Sequence, residues 1–498
     1  MTTGRGGRTR LVGLALMVTT ILAGCTSAVP TPSPASTASL PPAAVVVVPI
    51  VWSVCGGNPG LQCGSVPVPI DYQHPDQGTL EVAVSRSLAL DPSQRVGSLV
   101  VNPGGPGESG NQILPVLLGL LPTAIRQRFD IVSFDPRGTG ASDPLDCGTS
   151  PATVTSLNPV PSSPAQPLPG TTVFTAMAQS CLTHFPQLEP NVDTVNTARD
   201  MDRIRAALGD ATLSFYGLSY GTVLGAVYAT LFPKRIRSMV LDGAVDVNVT
   251  LTQQARQQAP AAERSLHHLL ETCGGVSPCP LGADPVDYFQ AVSRALATAP
   301  AGGATPAVTV GDLDTATLLT LSVPSFTTGF LQALVAAHNG SGAPLRQLAL
   351  ALATDIDGSS LVDSLWAITC NDASAHPGPT AAGTLARQLE AADPLMGGYA
   401  ATYALGGCVA WPAADQPVTN LHPTGAPPTL VVGNTGDPNT PLIGAVHLAA
   451  LFPKASQLTW NGWGHTWLLS GATDPCMQQH VTTYLLNGTL PAPGTVCS

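Results

Sequence analysis

The sequence predicts an α/β fold: a mostly parallel central sheet with helices on both faces and a helical cap inserted between the sixth and seventh sheet strands. Three observations lead there. Short, almost wholly apolar runs alternate with helix-patterned segments, as strands buried on both faces do. Several of these runs end in glycine-rich turns. One long interval, residues 247–421, carries helical spacing with few strand signals.

The elements follow in order. Residues 96–102 (VGSLVVN) form a strand that runs into NPGGPGESG, and 129–135 (FDIVSFD) form another before PRGTG. Residues 198–208 have helical spacing through Met201, Ile204 and Leu208, and Gly209 ends them. A strand at 212–216 is followed by a small-residue helix at 222–231, closed by Pro233, and by a strand at 236–242. The helical interval reads as 253–272, 285–298, 326–339, 344–354, 361–368 and 381–391. Two more strands are expected at 428–433 and 457–460. The Pro- and Ser-rich stretch 149–170 reads as a surface loop.

The N-terminus is a separate unit. Arg5, Arg8 and Arg10 precede an apolar run, 11–24, too short to span a bilayer comfortably. The run ends in LAGC, which resembles the lipobox of bacterial lipoprotein signal peptides; that resemblance implies cleavage before Cys25 and a lipid on its thiol. The expected organisation is a signal peptide at 1–24, a Pro/Ser/Ala tether at 25–49, core at 50–246, cap at 247–421 and core again at 422–498. The chain is thus expected to be exported and held at the outer face of the bacterial cytoplasmic membrane.

Cysteine usage agrees with export, and net charge bears on partners. The formal charge of −11 argues against a polyanion such as nucleic acid as partner. Apart from Cys25 there are ten cysteines, and nearest-neighbour pairing would give Cys55–Cys63, Cys147–Cys181, Cys273–Cys279, Cys370–Cys408 and Cys476–Cys497. Spacing alone leaves other connectivities open. A zinc site is the weaker reading, because no paired CxxC or His-x-x-x-His occurs. No metal or cofactor is called for, and a monomer is expected.

Chemistry concentrates at GLSYG, residues 217–221, the one GxSxG in the chain. In a sequence with 50 glycines the pentad alone is weak. Its setting between a strand and a helix is what a nucleophile elbow needs, with Ser219 on the tight turn and Gly217 and Gly221 where backbones cross. The base should follow a later strand, with an acid before it in the chain. Of the histidines beyond Ser219, His447 falls mid-helix and His480 on the terminal helix, whereas His465 lies in the loop WNGWGHTW. Asp437, in GNTGDPNTP after a strand, is the expected acid; Asp242 and Asp246 are the alternatives, and Asp474 breaks the chain order. An oxyanion hole would combine the N–H of Tyr220 with the backbone at Gly104 and Gly105.

The segments NPGGPGESG, DPRGTGASD, TARDMDRIRAALG, FYGLSYGTVLGAVYATLFP and MVLDG, with AITCND, CVAWP, DPNTP and GWGHT later, resemble the secreted tripeptidyl aminopeptidases. These are relatives of the proline iminopeptidases in the α/β-hydrolase superfamily. The resemblance covers nearly all of the chain from about residue 51. It implies a serine exopeptidase that removes short peptides from a free N-terminus beneath a helical cap. The family's nucleophile, acid and base fall on Ser219, Asp437 and His465, and its oxyanion loop on Gly104 and Gly105. Asn102 stands where iminopeptidases usually carry histidine, which weighs against strict proline specificity. Such an enzyme needs carboxylates or carbonyls to hold the substrate's ammonium, and Glu108 and Asp372 are candidates. An esterase, lipase or endopeptidase on cell-envelope substrates would use the same triad.

Overall fold

The computed structural model describes residues 48–304 and 307–498. The signal peptide, Cys25 and all but the last two residues of the tether lie outside the described residues. Ten strands form one sheet: β1 (Ser53–Cys55), β2 (Asn58–Pro69), β3 (Thr79–Ser87), β4 (Gly97–Asn102), β5 (Phe129–Phe134), β6 (Leu213–Leu218), β7 (Ile236–Asp242), β8 (Thr429–Gly436), β9 (Ala455–Trp463) and β10 (Thr495–Cys497). Their spatial order is β1-β2-β3-β5-β4-β6-β7-β8-β9-β10. The first four in that order pair antiparallel, and every pairing from β5 to β10 is parallel.

The two-residue period of a strand sorts these side chains onto two cores. Val100, Phe215, Leu241 and Val431 face one, together with Phe174, Met201 and Tyr228 from helices Thr171–His184, Thr194–Ala207 and Gly221–Leu231. Val101, Tyr216, Val240 and Leu430 face the other, packed against Leu114, Leu117 and Val481 from helices Gly110–Leu120 and Pro475–Asn487. The centre of the sheet is therefore covered twice, and β5 and β6 are buried at every residue.

Between β7 and β8 the chain makes eight α-helices among the described residues, from Leu251–Thr272 to Gly397–Leu405. They have a hydrophobic centre of their own around Leu266, Phe289, Leu313 and Phe330. The insertion comes one strand later than the sequence count, because the short β1 pairs onto β2 and adds a strand ahead of the rest. Two of these helices, Val310–Ser322 and Gly397–Leu405, have no counterpart in the sequence reading. The former is buried at every position from Gly311 to Ser322, so it offers no apolar stripe to detect.

The stretch 149–170 is not a surface loop. It contains the short helix Pro151–Thr155, and Thr155 Oγ1 donates to Asp312 at 2.8 Å. Leu168 is buried, and its N–H donates to Pro379 O at 2.9 Å. A Cβ on Gly311 would come 2.1 Å from Leu157 O, so the insertion packs directly onto this segment. The cysteines are bonded Cys55–Cys63, Cys147–Cys181, Cys273–Cys279, Cys370–Cys408 and Cys476–Cys497.

Candidate active site

Strand β6 delivers the chain into a turn whose apex is Ser219, with φ of +54°. That left-handed conformation is costly for a residue with a Cβ and persists only where its surroundings impose it. Here the Ser219 N–H donates to Asp242 O at 2.8 Å, while its carbonyl accepts from the Thr222 N–H at 2.9 Å and Thr222 Oγ1 at 2.6 Å. The crossing is tight: a Cβ on Gly217 would sit 2.3 Å from Gly221 O. The helix Gly221–Leu231 starts immediately after, so Ser219 lies at its positive end.

The loop after β4 approaches the same turn. Gly104 has φ of +104°, and a Cβ there would fall 2.6 Å from Leu218 O and 2.8 Å from Tyr220 N. Only glycine lets this backbone lie against the amide that follows Ser219. Gly105 and Tyr220 both line the cavity above.

His465 follows β9, and its own N–H is fixed by Ser322 O at 2.9 Å, an oxygen supplied by the cap. Its Nδ1 lies 2.9 and 3.1 Å from the two oxygens of Asp437. Asp437 Oδ1 also accepts from the N–H groups of Asn439 (2.9 Å) and Thr440 (2.8 Å). Its Oδ2 accepts from Thr440 Oγ1 (2.9 Å) and the Thr466 N–H (3.1 Å). The Asp-Pro-Asn-Thr turn thus wraps its own carboxylate, as an Asx turn does. Burial opposes a charge on the His465 ring, but the Asp437 charge and hydrogen bond outweigh it, with Asp242 and Glu108 adding to them. The imidazole pKa is raised.

The alternative acids are engaged elsewhere. Asp242 accepts from the Trp467 N–H (3.0 Å), the Leu468 N–H (3.1 Å) and Tyr216 OH (3.0 Å), bracing the loop that carries His465; burial pushes its pKa up to about 6. Asp246 is 2.7 Å from His447 Nδ1 and accepts from Gln257 Nε2 at 2.9 Å. Asp474 caps the helix Pro475–Asn487.

Ser219, His465, Gly105, Tyr220 and Glu108 line one cavity of about 850 Å³, within the usual range for ligand pockets. Much of its lining is apolar, including Ile113, Phe174, Leu319, Trp366 and Leu469. Its charged lining, besides His465, is acidic: Glu108, Asp246, Asp355 and Asp372, with no Lys or Arg among the described residues. Asp246 is taken by His447, and Asp355 Oδ1 accepts from the Ser109 N–H at 3.1 Å. Both oxygens of Asp372 are occupied: Oδ1 accepts from the Thr194 N–H at 2.8 Å and Oδ2 from Tyr220 OH. The Glu108 carboxylate accepts no hydrogen bond from any described residue. Burial pushes its pKa up to about 7, the nearby Asp355 charge adds to the rise, and His465 moderates it.

Sequence reasoning missed Thr440, whose Oγ1 is 3.2 Å from His465 Nδ1, and the Thr466 N–H that completes the carboxylate's shell. The DPNT turn was the available signal for the first. It also missed Asp355, which sits in a part of the chain where the motifs are sparse.

Residues 393–497 match the family model described as TAP-like protein. The chain is 33% identical to the serine protease Hip1 of Mycobacterium tuberculosis, over 90% of this chain and 91% of that protein. It is 31% identical to the tripeptidyl aminopeptidase of Streptomyces lividans, covering 90% of this chain and 86% of the relative. It is also 31% identical to carboxylesterase B of Mycobacterium tuberculosis, over 88% of this chain and 86% of that one. With an α/β sheet of this order and identity of this extent, the chain belongs to the tripeptidyl aminopeptidase-like serine peptidases of the α/β-hydrolase superfamily.

Proposed function

We propose that this protein is an exported, lipid-anchored aminopeptidase that releases short peptides, of the tripeptidyl kind, from free N-termini. In this reading Ser219 Oγ attacks the scissile carbonyl while His465 takes its proton. Asp437 holds the Nδ1–H tautomer and stabilises the imidazolium that forms. The oxyanion is met by the Tyr220 N–H and by the backbone at Gly104 and Gly105. His465 then gives its proton to the leaving amine, the C–N bond breaks, and water hydrolyses the acyl-enzyme by the same route in reverse. The chemistry needs no metal or cofactor.

One observation carries the exopeptidase part: a half-buried carboxylate, Glu108, that accepts no hydrogen bond from any described residue, in a cavity whose described lining has no Lys or Arg, four residues beyond the oxyanion glycine Gly104. A buried charge left without a partner is costly, and a substrate ammonium would supply the missing partner. Asp372, whose oxygens already have donors, is the lesser candidate for that contact. The test is one peptide series with free and acetylated N-termini, using Ser219→Ala as the blank. Cleavage of the free forms alone supports the aminopeptidase. Equal cleavage of both would replace it with an endopeptidase.

The apolar part of the lining favours a second reading, an esterase acting on acyl substrates of the cell envelope. Ser219-dependent hydrolysis of short acyl esters, with no peptide cleaved, would select it. Anchoring rests on LAGC: Cys25→Ser should abolish incorporation of a fatty-acid label and release the protein from membranes. Retained label in that variant would refute the anchor.

A further inference from the structure

We propose that the cap helix Val362–Asp372 holds the oxyanion hole in register, and that Asp372 is a positioning residue acting through the side chain of Tyr220. This rests on the reading of the Tyr220 N–H as an oxyanion donor, and it gives part of the insertion a role beyond covering the site.

Two contacts, one at each end of the helix, carry the argument. At its C-terminal end, Asp372 accepts from Tyr220 OH and from the Thr194 N–H at 2.8 Å, with Thr194 Oγ1 3.4 Å from the same phenol. One carboxylate thereby ties together the cap, the first turn of helix Thr194–Ala207 and the residue after Ser219. Towards its N-terminal end, the helix lies against the glycine-rich loop: a Cβ on Gly107 would come 2.9 Å from Ser364 Cβ and 3.0 Å from Leu365 N. The side chain of Tyr220 and the glycine-rich loop that carries Gly104 and Gly105 are thus both in contact with the same eleven residues.

The brace is itself fixed. Asp363 accepts from the Cys147 N–H at 2.9 Å, and Ser364 Oγ donates to Gly138 O at 2.7 Å. Asn371 Nδ2 donates to Glu189 O at 2.8 Å and to Val192 O at 3.2 Å. Cys370, two residues before Asp372, is bonded to Cys408. A helix held at this many points tolerates little displacement. The phenol of Tyr220 hangs from the same Cα as its amide, so gripping the ring limits rotation of the N–H. An oxyanion donor is effective only when it is already aimed at the place where charge develops.

The experiment measures kcat, KM and Tm on the full chain for Tyr220→Phe, Asp372→Asn and the double variant. Each single change should lower kcat about 10- to 100-fold, below the full loss of an oxyanion donor, with little change in KM. The double variant should be no worse than the more damaging single one, because both remove one link. Asp372→Asn can place an amide N–H against the Thr194 N–H and so cost stability; Tyr220→Phe removes a single oxygen and is the variant on which the inference stands. Full kcat in Tyr220→Phe, whatever its Tm, would overturn it, as would multiplicative losses in the double variant. A rise in KM confined to free N-termini in Asp372→Asn, with kcat kept, would overturn it in favour of direct contact with the substrate. Activity surviving in Ser219→Ala would instead remove the nucleophile reading; an inactive Ser219→Ala beside a fully active Tyr220→Phe removes only this inference.

Discussion

At the carboxyl ends of β7 and β8, buried carboxylates are surrounded by donors. Asp437 collects three backbone N–H groups and a hydroxyl besides His465, and Asp242 collects two N–H groups and a phenol. In the loop after β4, Glu108 is half-buried with no donor from the described residues, and partial burial pushes its pKa up to about 7. The difference follows from what each must do. An acid that orients a histidine has to be held motionless, and hydrogen bonds from backbone N–H groups do that. An acid that waits for a cationic substrate cannot have its oxygens filled beforehand. Provision of donors thus separates the structural carboxylates that brace the triad from the available one that lines the cavity.

The sharpest way to break that contrast is to neutralise Asp437. In Asp437→Asn the amide nitrogen would face the Thr440 and Asn439 N–H groups or the histidine itself, so the ring is driven towards the wrong tautomer. We expect kcat to fall by roughly 10⁴ with the fold retained, as when the acid of a Ser-His-Asp triad is amidated. Ser219→Ala should fall at least as far. A loss in Asp437→Asn of tenfold or less, checked by steady-state kinetics beside Ser219→Ala, would put the orienting role on another group, with Asp242 the first to examine.

How much of this could be read from the chain varies with the physics of each element. The parallel strands were legible because burial on both faces forces continuous apolar runs. The elbow at Ser219 was legible because Gly217 and Gly221 have a steric reason to be glycine. Helix Val310–Ser322 was not legible because a helix buried all round has no stripe, and its Asp312 and Asp314 interrupt the apolar run. Residues 149–170 had the composition of a loop, and contacts with the insertion, among them those with Asp312, Pro379, Arg346 and Thr402, order them. The engagement of Asp372 was out of reach for a different reason. Its partners Thr194 and Tyr220 are 178 and 152 residues away, and no local pattern encodes a contact of that span.

Removing the charge on Glu108 gives the smallest effect and tests the contrast from its other side. Glu108→Gln should lower kcat/KM on free N-termini by roughly 10- to 100-fold, the value of a hydrogen bond to a charged group, and leave acetylated peptides or esters unaffected. The same substitution should stabilise the fold. The Glu108 pKa is raised from 4.5 when unfolded to about 7 when folded, so the folded state binds the extra proton between those values. Stability therefore declines as pH rises through that window, and the penalty is complete above it. Glutamine carries no such penalty. Its Tm should exceed that of the parent at pH 8, and the two should converge as pH falls below about 4.5. A parent as stable as Glu108→Gln at pH 8 would mean that the carboxylate already has a partner in the free protein, and the distinction between filled and available acids would fail at the residue on which it most depends.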